Sequence, residues 1–205
     1  MARMIGAKAG AAAIVALLIS SSSAFTAPAS ALSMQTGGIT SQPIGHYEFC
    51  QTNAAECRSG ARNPAPAKVT DFGWSVVRQI NLDINHAITP MTDKDLYGKD
   101  EVWTYPDGAG DCEDFVLLKR KRLMEKGFAA GDLLITVVRK PDGEGHAVLT
   151  LRTTQGDFIL DNLNNEVKLW TATPYRYLKR QASFHAGRWV SIENGDAVMV
   201  SSVGQ

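Results

Sequence analysis

A change of apolar period near Gly127 divides the sequence into a helical half and a stranded half. Before it, Val116–Leu117 and Leu123–Met124 lie seven residues apart, the spacing of one helix face. Asp111, Glu113 and Asp114 stand at the start of that helix, and Lys119, Arg120, Lys121, Arg122 and Lys126 crowd its end, as the helix dipole favours. Gly127 closes it. After it come three short apolar or alternating runs, Leu133–Arg139, Ala147–Thr153 and Asp157–Asp161. Turns at Lys140–Gly145 and Gln155–Gly156 join them, and such short connections make antiparallel meanders. An earlier helix is expected from near Lys68 to His86, capped by Thr70 or Asp71 and stopped by Pro90. Its buried face would carry Phe72, Val76 or Val77, Ile80 and Ile84. Arg188–Ile192 and Ala197–Ser201 read as a late hairpin around Asn194-Gly195. Helices first and strands after predict an α+β domain, with helices packed on an antiparallel sheet.

The chain has 205 residues, and its first 31 do not read as part of that domain. Arg3 and Lys8 precede an apolar run from Ala11 to Ile19, a Ser-rich patch follows, and Ala29-Ser30-Ala31 offers small residues for cleavage. That order is the pattern of a secretory signal peptide. The apolar run falls short of the roughly 20 residues that a spanning helix needs. Residues 1–31 are therefore expected to be a leader of an exported protein, with no stable membrane insertion after its removal. Residues 32–66, rich in Gly, Pro, Ser, Thr and Asn, read as an irregular segment, and residues 67–205 as one domain. The leader holds two of the 21 basic residues and none of the 21 acidic ones, which leaves two net negative charges on the rest. A surface so balanced gives no electrostatic reason to expect nucleic acid or an anionic membrane as partner.

Export implies an oxidising compartment in which spare thiols pair. Cys50 and Cys57 lie close together in a loop-like stretch and are expected to form a disulfide, which leaves Cys112 over. Cys112 follows Gly108-Ala109-Gly110 and opens the clearest helix. A thiol there sits at the positive end of the dipole, which favours thiolate, and the free N–H groups of the same turn can hold an oxyanion. A thiol hydrolase also needs a base and a group to orient it. His146 opens one strand and Asp161 closes the next, and the tight turn between the strands brings the two near each other. The plainer readings are a half-buried histidine and a turn-forming aspartate, and His46, His86 and His185 are rival bases. The acidic residues around Cys112 also have two readings. They complement the helix dipole, or they hold a hard cation such as calcium.

The segments Gly110-Asp111-Cys112-Glu113-Asp114-Phe115, Gly145-His146-Ala147-Val148-Leu149 and Ile159-Leu160-Asp161-Asn162-Leu163, taken together, resemble the bacterial transglutaminase-like cysteine proteinases, of which the LapG-type periplasmic proteases are members. Asn85, Tyr97-Gly98, Trp103 with Pro106, Tyr175 and Trp189 add to the likeness, which runs from about Val69 to Ile192. The resemblance implies a papain-like, transglutaminase-core fold with Cys112, His146 and Asp161 as catalytic triad and Asp111 and Glu113 as calcium ligands. It implies an exported, periplasmic cysteine protease that cleaves a protein or peptide through a thioester, with a cell-surface protein as one kind of substrate. Acyl transfer to an amine and a non-catalytic exported binding module are the alternatives on the same fold.

Overall fold

The computed structural model describes Met1 and residues 32–58, 60 and 65–195. Residues 2–31 of the expected leader and the expected strand Ala197–Ser201 lie outside the described residues. No helix among the described residues is long and apolar enough to cross a membrane.

The first long helix, α2 (Asp71–Ala87), follows a short α1 (Ile44–Thr52). Thr70 rather than Asp71 caps α2, its hydroxyl accepting from Gly73 N at 3.1 Å. Val77 and Ile84 face the core, whereas Phe72, expected beside them, is 78% exposed in the first turn. Thr89–Pro90 (β2) pairs in parallel with Ala109–Gly110 (β3), and a one-turn helix α3 (Asp93–Tyr97) lies between them. Pro90 is the last residue of β2, three residues past the end of α2, and its missing N–H is no loss in a two-residue pair. The helix α4 (Cys112–Glu125) begins and ends as its charge pattern predicts, with Gly127 in the left-handed region at φ 91°.

Six further strands follow α4, namely β4 (Leu133–Arg139), β5 (Gly145–Thr153), β6 (Gly156–Asp161), β7 (Asn164–Leu169), β8 (Arg176–Ala182) and β9 (His185–Ile192). With β1 (Thr36–Thr40) they form one antiparallel sheet in the order β1-β9-β8-β4-β5-β6-β7. Leu133, Ile135, Leu149, Leu151 and Leu160 face one way, against Val116, Leu117 and Leu123 of α4 and Val77 of α2. Val138, Val148 and Ile159 face the other way, against Trp170, Tyr175, Tyr177 and Met34. The central strands are therefore buried on both faces, which is why β4 reads as a nearly continuous apolar run, interrupted by Thr136, rather than an alternation. Each such side chain, fully removed from water, contributes on the order of 2 kcal/mol before entropy is counted.

Two expectations need correction. Residues 32–66 are not irregular throughout, since β1 extends the sheet beside β9 and α1 packs Phe49 into the core. The Cys50–Cys57 disulfide pins this arm to itself, and Arg120 of α4, bonded to Glu56 at 3.1 Å, pins it to the domain. The strand expected over Arg188–Ile192 begins earlier, as β9, and pairs with β8 and β1, while the second strand of the expected hairpin lies outside the described residues.

Candidate active site

The last turn of β5–β6 geometry places an imidazole against a carboxylate. Thr153 pairs with Gly156 and Leu149 with Leu160, so His146 and Asp161 are diagonal neighbours on the same face of the sheet. His146 Nε2 lies 2.9 Å from Asp161 Oδ1, and both side chains are buried. The second carboxylate oxygen accepts from the Tyr175 hydroxyl at 2.5 Å, and Oδ1 also accepts from Leu163 N at 3.0 Å. Burial works to raise the pKa of Asp161, but the hydrogen bonds from His146 and Tyr175 prevail and hold it below the usual carboxylate range. From α2, Asn85 Nδ2 donates to Asp161 O at 2.9 Å, and Asn81 Nδ2 to Asn164 O at 3.1 Å. The turn that carries Asp161 is thus fixed by two buried or half-buried amides.

Cys112 is the one free cysteine among the described residues. It shares with His146 a cleft of about 580 Å³, whose walls include Ile44, Trp103, Glu113 and Val137. No hydrogen bond joins the sulfur to His146. Sγ instead donates to Glu113 Oε2 at 3.0 Å and accepts from Ala147 N, next to His146 in β5, at 3.4 Å. The helix start was expected to lower the thiol pKa. In this state burial raises it well above the ordinary value, and the charge and hydrogen bond of Glu113 add to that, while the Ala147 N–H opposes them. A buried thiol beside a carboxylate loses more by desolvation and repulsion than one helix terminus returns.

A carboxylate cluster surrounds the same turn. One oxygen each from Asp93, Asp111 and Asp114 lies within 4.8 Å of the others, and Asp111, Cys112 and Glu113 form an adjoining group. Asp93 Oδ2 accepts from Val102 N and Asp114 Oδ1 from Thr104 N at 2.9 Å. Asp93 Oδ1, Asp111 Oδ1 and Asp114 Oδ2 are buried without a hydrogen-bond partner. Burial, then the charge of Asp111, pushes Glu113 up to about 9. Burial, then the charges of Asp111 and Asp93, raises Asp114 to about 7, and burial also raises Asp111.

Of the five site residues expected from sequence, His146 and Asp161 meet directly, and Cys112, Asp111 and Glu113 cluster at the start of α4. Asp93 was not foreseen. It sits 18 residues before Asp111, and only the parallel pairing of Pro90 with Gly110 brings the two segments side by side. Asp114 stands out in the sequence only as an acidic neighbour of Cys112. The contact of Tyr175 with Asp161 crosses from β8's approach to the end of β6 and leaves no local pattern in the sequence.

A half-buried thiol at the head of a helix that packs on an antiparallel sheet is the arrangement of a cysteine peptidase of the transglutaminase-like superfamily. The model of the bacterial transglutaminase-like cysteine proteinases matches residues 36–197, and the chain belongs to that family. Among solved structures it is similar to calcium-bound LapG of Legionella pneumophila, with 25% identity over 57% of this chain and 68% of that one and a TM-score of 0.49. The EGTA-treated form of the same protein gives 26% identity, 58% and 67% coverage and a TM-score of 0.49. No curated protein matches.

Proposed function

We propose that the protein is an exported, periplasmic cysteine endopeptidase in which Cys112 is the nucleophile, His146 the base and Asp161 the residue that orients the base. The observation that carries this reading is the buried His146–Asp161 pair, whose imidazole lines the same cleft as the free thiol. With Nε2–H donated to Asp161, the lone pair of His146 is left on Nδ1, the atom that can take the thiol proton. The Cys112 side chain leaves Glu113 and turns toward that nitrogen, and the thiolate attacks a substrate carbonyl. N–H groups in the first turn of α4 hold the oxyanion. The imidazolium returns its proton to the leaving amine, and water then releases the acyl group from the thioester. A protein or peptide is the substrate class that the family implies.

Calcium fits the carboxylate cluster. The donors are all oxygen, the charge is high, and three buried oxygens lack partners. Asp93, Asp111 and Asp114 would hold the ion, with Glu113 adjoining through Asp111. A bound cation would supply positive charge that favours ionised carboxylates and a thiolate beside them. Asp93 and Asp114 meanwhile fix the 102–104 backbone that forms one wall of the cleft. The decisive experiment compares wild type with Cys112→Ala on proteins of the exported fraction. Processing should stop in the variant, with a loss on the order of 10⁴-fold or more, while the His146–Asp161 pair stays folded. Processing at the wild-type rate would end the assignment of Cys112.

A further inference from the structure

The floor of the cleft is a row of three residues in register across neighbouring strands. Ala147 of β5 pairs with Val137 of β4, and Val137 pairs with Lys179 of β8. Residues directly opposite one another project to the same face of a sheet, and all three line the cleft. The row begins at the thiol, where Ala147 N donates to Cys112 Sγ at 3.4 Å. It ends at the N-terminal arm, where Lys179 Nζ donates to Ser41 O at 2.8 Å. With strands roughly 4.8 Å apart, the floor extends about 10 Å, the length of roughly three residues of extended peptide.

Pro43, Ile44 and Trp103 give the cleft an apolar part of its lining, beside Glu101 and Glu113. Ile44 is 61% exposed, although the two residues after it, Gly45 and His46, are buried. Packing gives no reason for a bare β-branched side chain at that point. The helix that presents it is held rigidly. A Cβ at Gly45 would stand 2.2 Å from Trp103 Cδ1, so α1 and the indole are in direct contact. The disulfide and the Arg120–Glu56 bond secure the far end of the same segment. A preformed apolar surface of this kind binds a side chain without the cost of ordering itself.

We propose that Val137 and Ile44, with Pro43 and Trp103, form a specificity pocket for an aliphatic side chain of the substrate, one to two residues along an extended chain from the scissile carbonyl. The proposal rests on the reading of Cys112 as nucleophile and names the class of peptide that would reach it. A charged side chain there would lose water over Val137 and Ile44.

The test uses the mature-length Cys112→Ala protein and a set of labelled, blocked hexapeptides in which each position in turn is Leu, Ala, Asp or Lys. Fluorescence polarisation should find one position at which Leu binds about tenfold tighter than Asp or Lys. Ile44→Asp should abolish that preference and shift it toward Lys, and the gentler Ile44→Thr should reduce it several-fold. No position with a Leu preference, a preference indifferent to both substitutions, or no measurable binding of any peptide overturns the pocket. Should the Cys112→Ala protein cleave as wild type does while the Leu preference and its dependence on Ile44 persist, the nucleophile assignment falls and the pocket stands.

Discussion

The two sides of the cleft are finished to different degrees. On the sheet side, Asp161 receives hydrogen bonds from His146, Tyr175 and Leu163, and its carboxylate is held in the ionised form. On the helix side, three aspartate oxygens are buried without partners, Glu113 and Asp114 are pushed toward protonation, and the thiol is turned to Glu113. On the proposed reading, His146 is a base already oriented and Cys112 a nucleophile still protonated, so competence would depend on what happens at the carboxylates. Low dielectric acts on both sides. It strengthens the satisfied network and penalises the unsatisfied one.

The contrast is broken most severely by removing the hub of the finished side. Asp161→Ala leaves His146 without its orienting acceptor and strands the Tyr175 hydroxyl, and activity on a protein substrate should fall on the order of 10³-fold. Alkylation of Cys112 should persist, because the thiol lies on the other element. A variant within a few-fold of wild type would mean that Asp161 is a turn former and that the two sides are not coupled through His146.

The unfinished side is tested by heat and pH. Asp114, raised to about 7, and Glu113, raised to about 9, bind protons more tightly in the folded protein than in the unfolded chain. Their contribution to stability is complete below the unfolded carboxylate range near pH 4, and it is lost as pH rises through 7 and then 9. In chelator the melting temperature should therefore fall between about pH 5 and 9. Calcium at about a hundred times its dissociation constant should restore about 2–3 kcal/mol, roughly 5–10 °C, and flatten the pH dependence. Magnesium should not substitute, because it resists dehydration into an all-protein site. An unchanged melting curve with either ion would leave the acidic turn as dipole complementarity alone.

How much of this was legible in the sequence follows from how local each feature is. The α4 helix and the β4–β5–β6 meander were readable because charge, period and short turns are local signals, and their register delivered His146 to Asp161. The arm over residues 32–66 was not, since β1 is a strand only by virtue of its pairing with β9, about 150 residues away in sequence. Phe72 was misplaced because its helical spacing holds, yet the first turn of α2 extends beyond the core. Asp93 depends on a two-residue parallel pair that no periodicity announces. The family resemblance supplied Asp111 and Glu113 as ligands, whereas the oxygens left without partners belong to Asp93, Asp111 and Asp114.

The smallest expected effect tests how finely the sheet side is tuned. Tyr175→Phe removes one of three donors to Asp161 and keeps the ring, whose centroid lies 5.6 Å from that of His146 in an edge-on contact. The hydroxyl is pushed up by burial and by the bond to Asp161, so it stays a donor throughout the working range. Without it the Asp161 carboxylate is easier to protonate, so the acid limb of the activity profile should move to higher pH. Loss of a buried, charge-assisted hydrogen bond amounts to about 1–2 kcal/mol, and kcat should fall roughly five- to thirtyfold. KM should hardly change, because Tyr175 is not among the residues that line the cleft. A rise in KM with an unmoved acid limb would show that Tyr175 acts by shaping the substrate surface, and that Asp161 needs only His146 and Leu163 to stay charged.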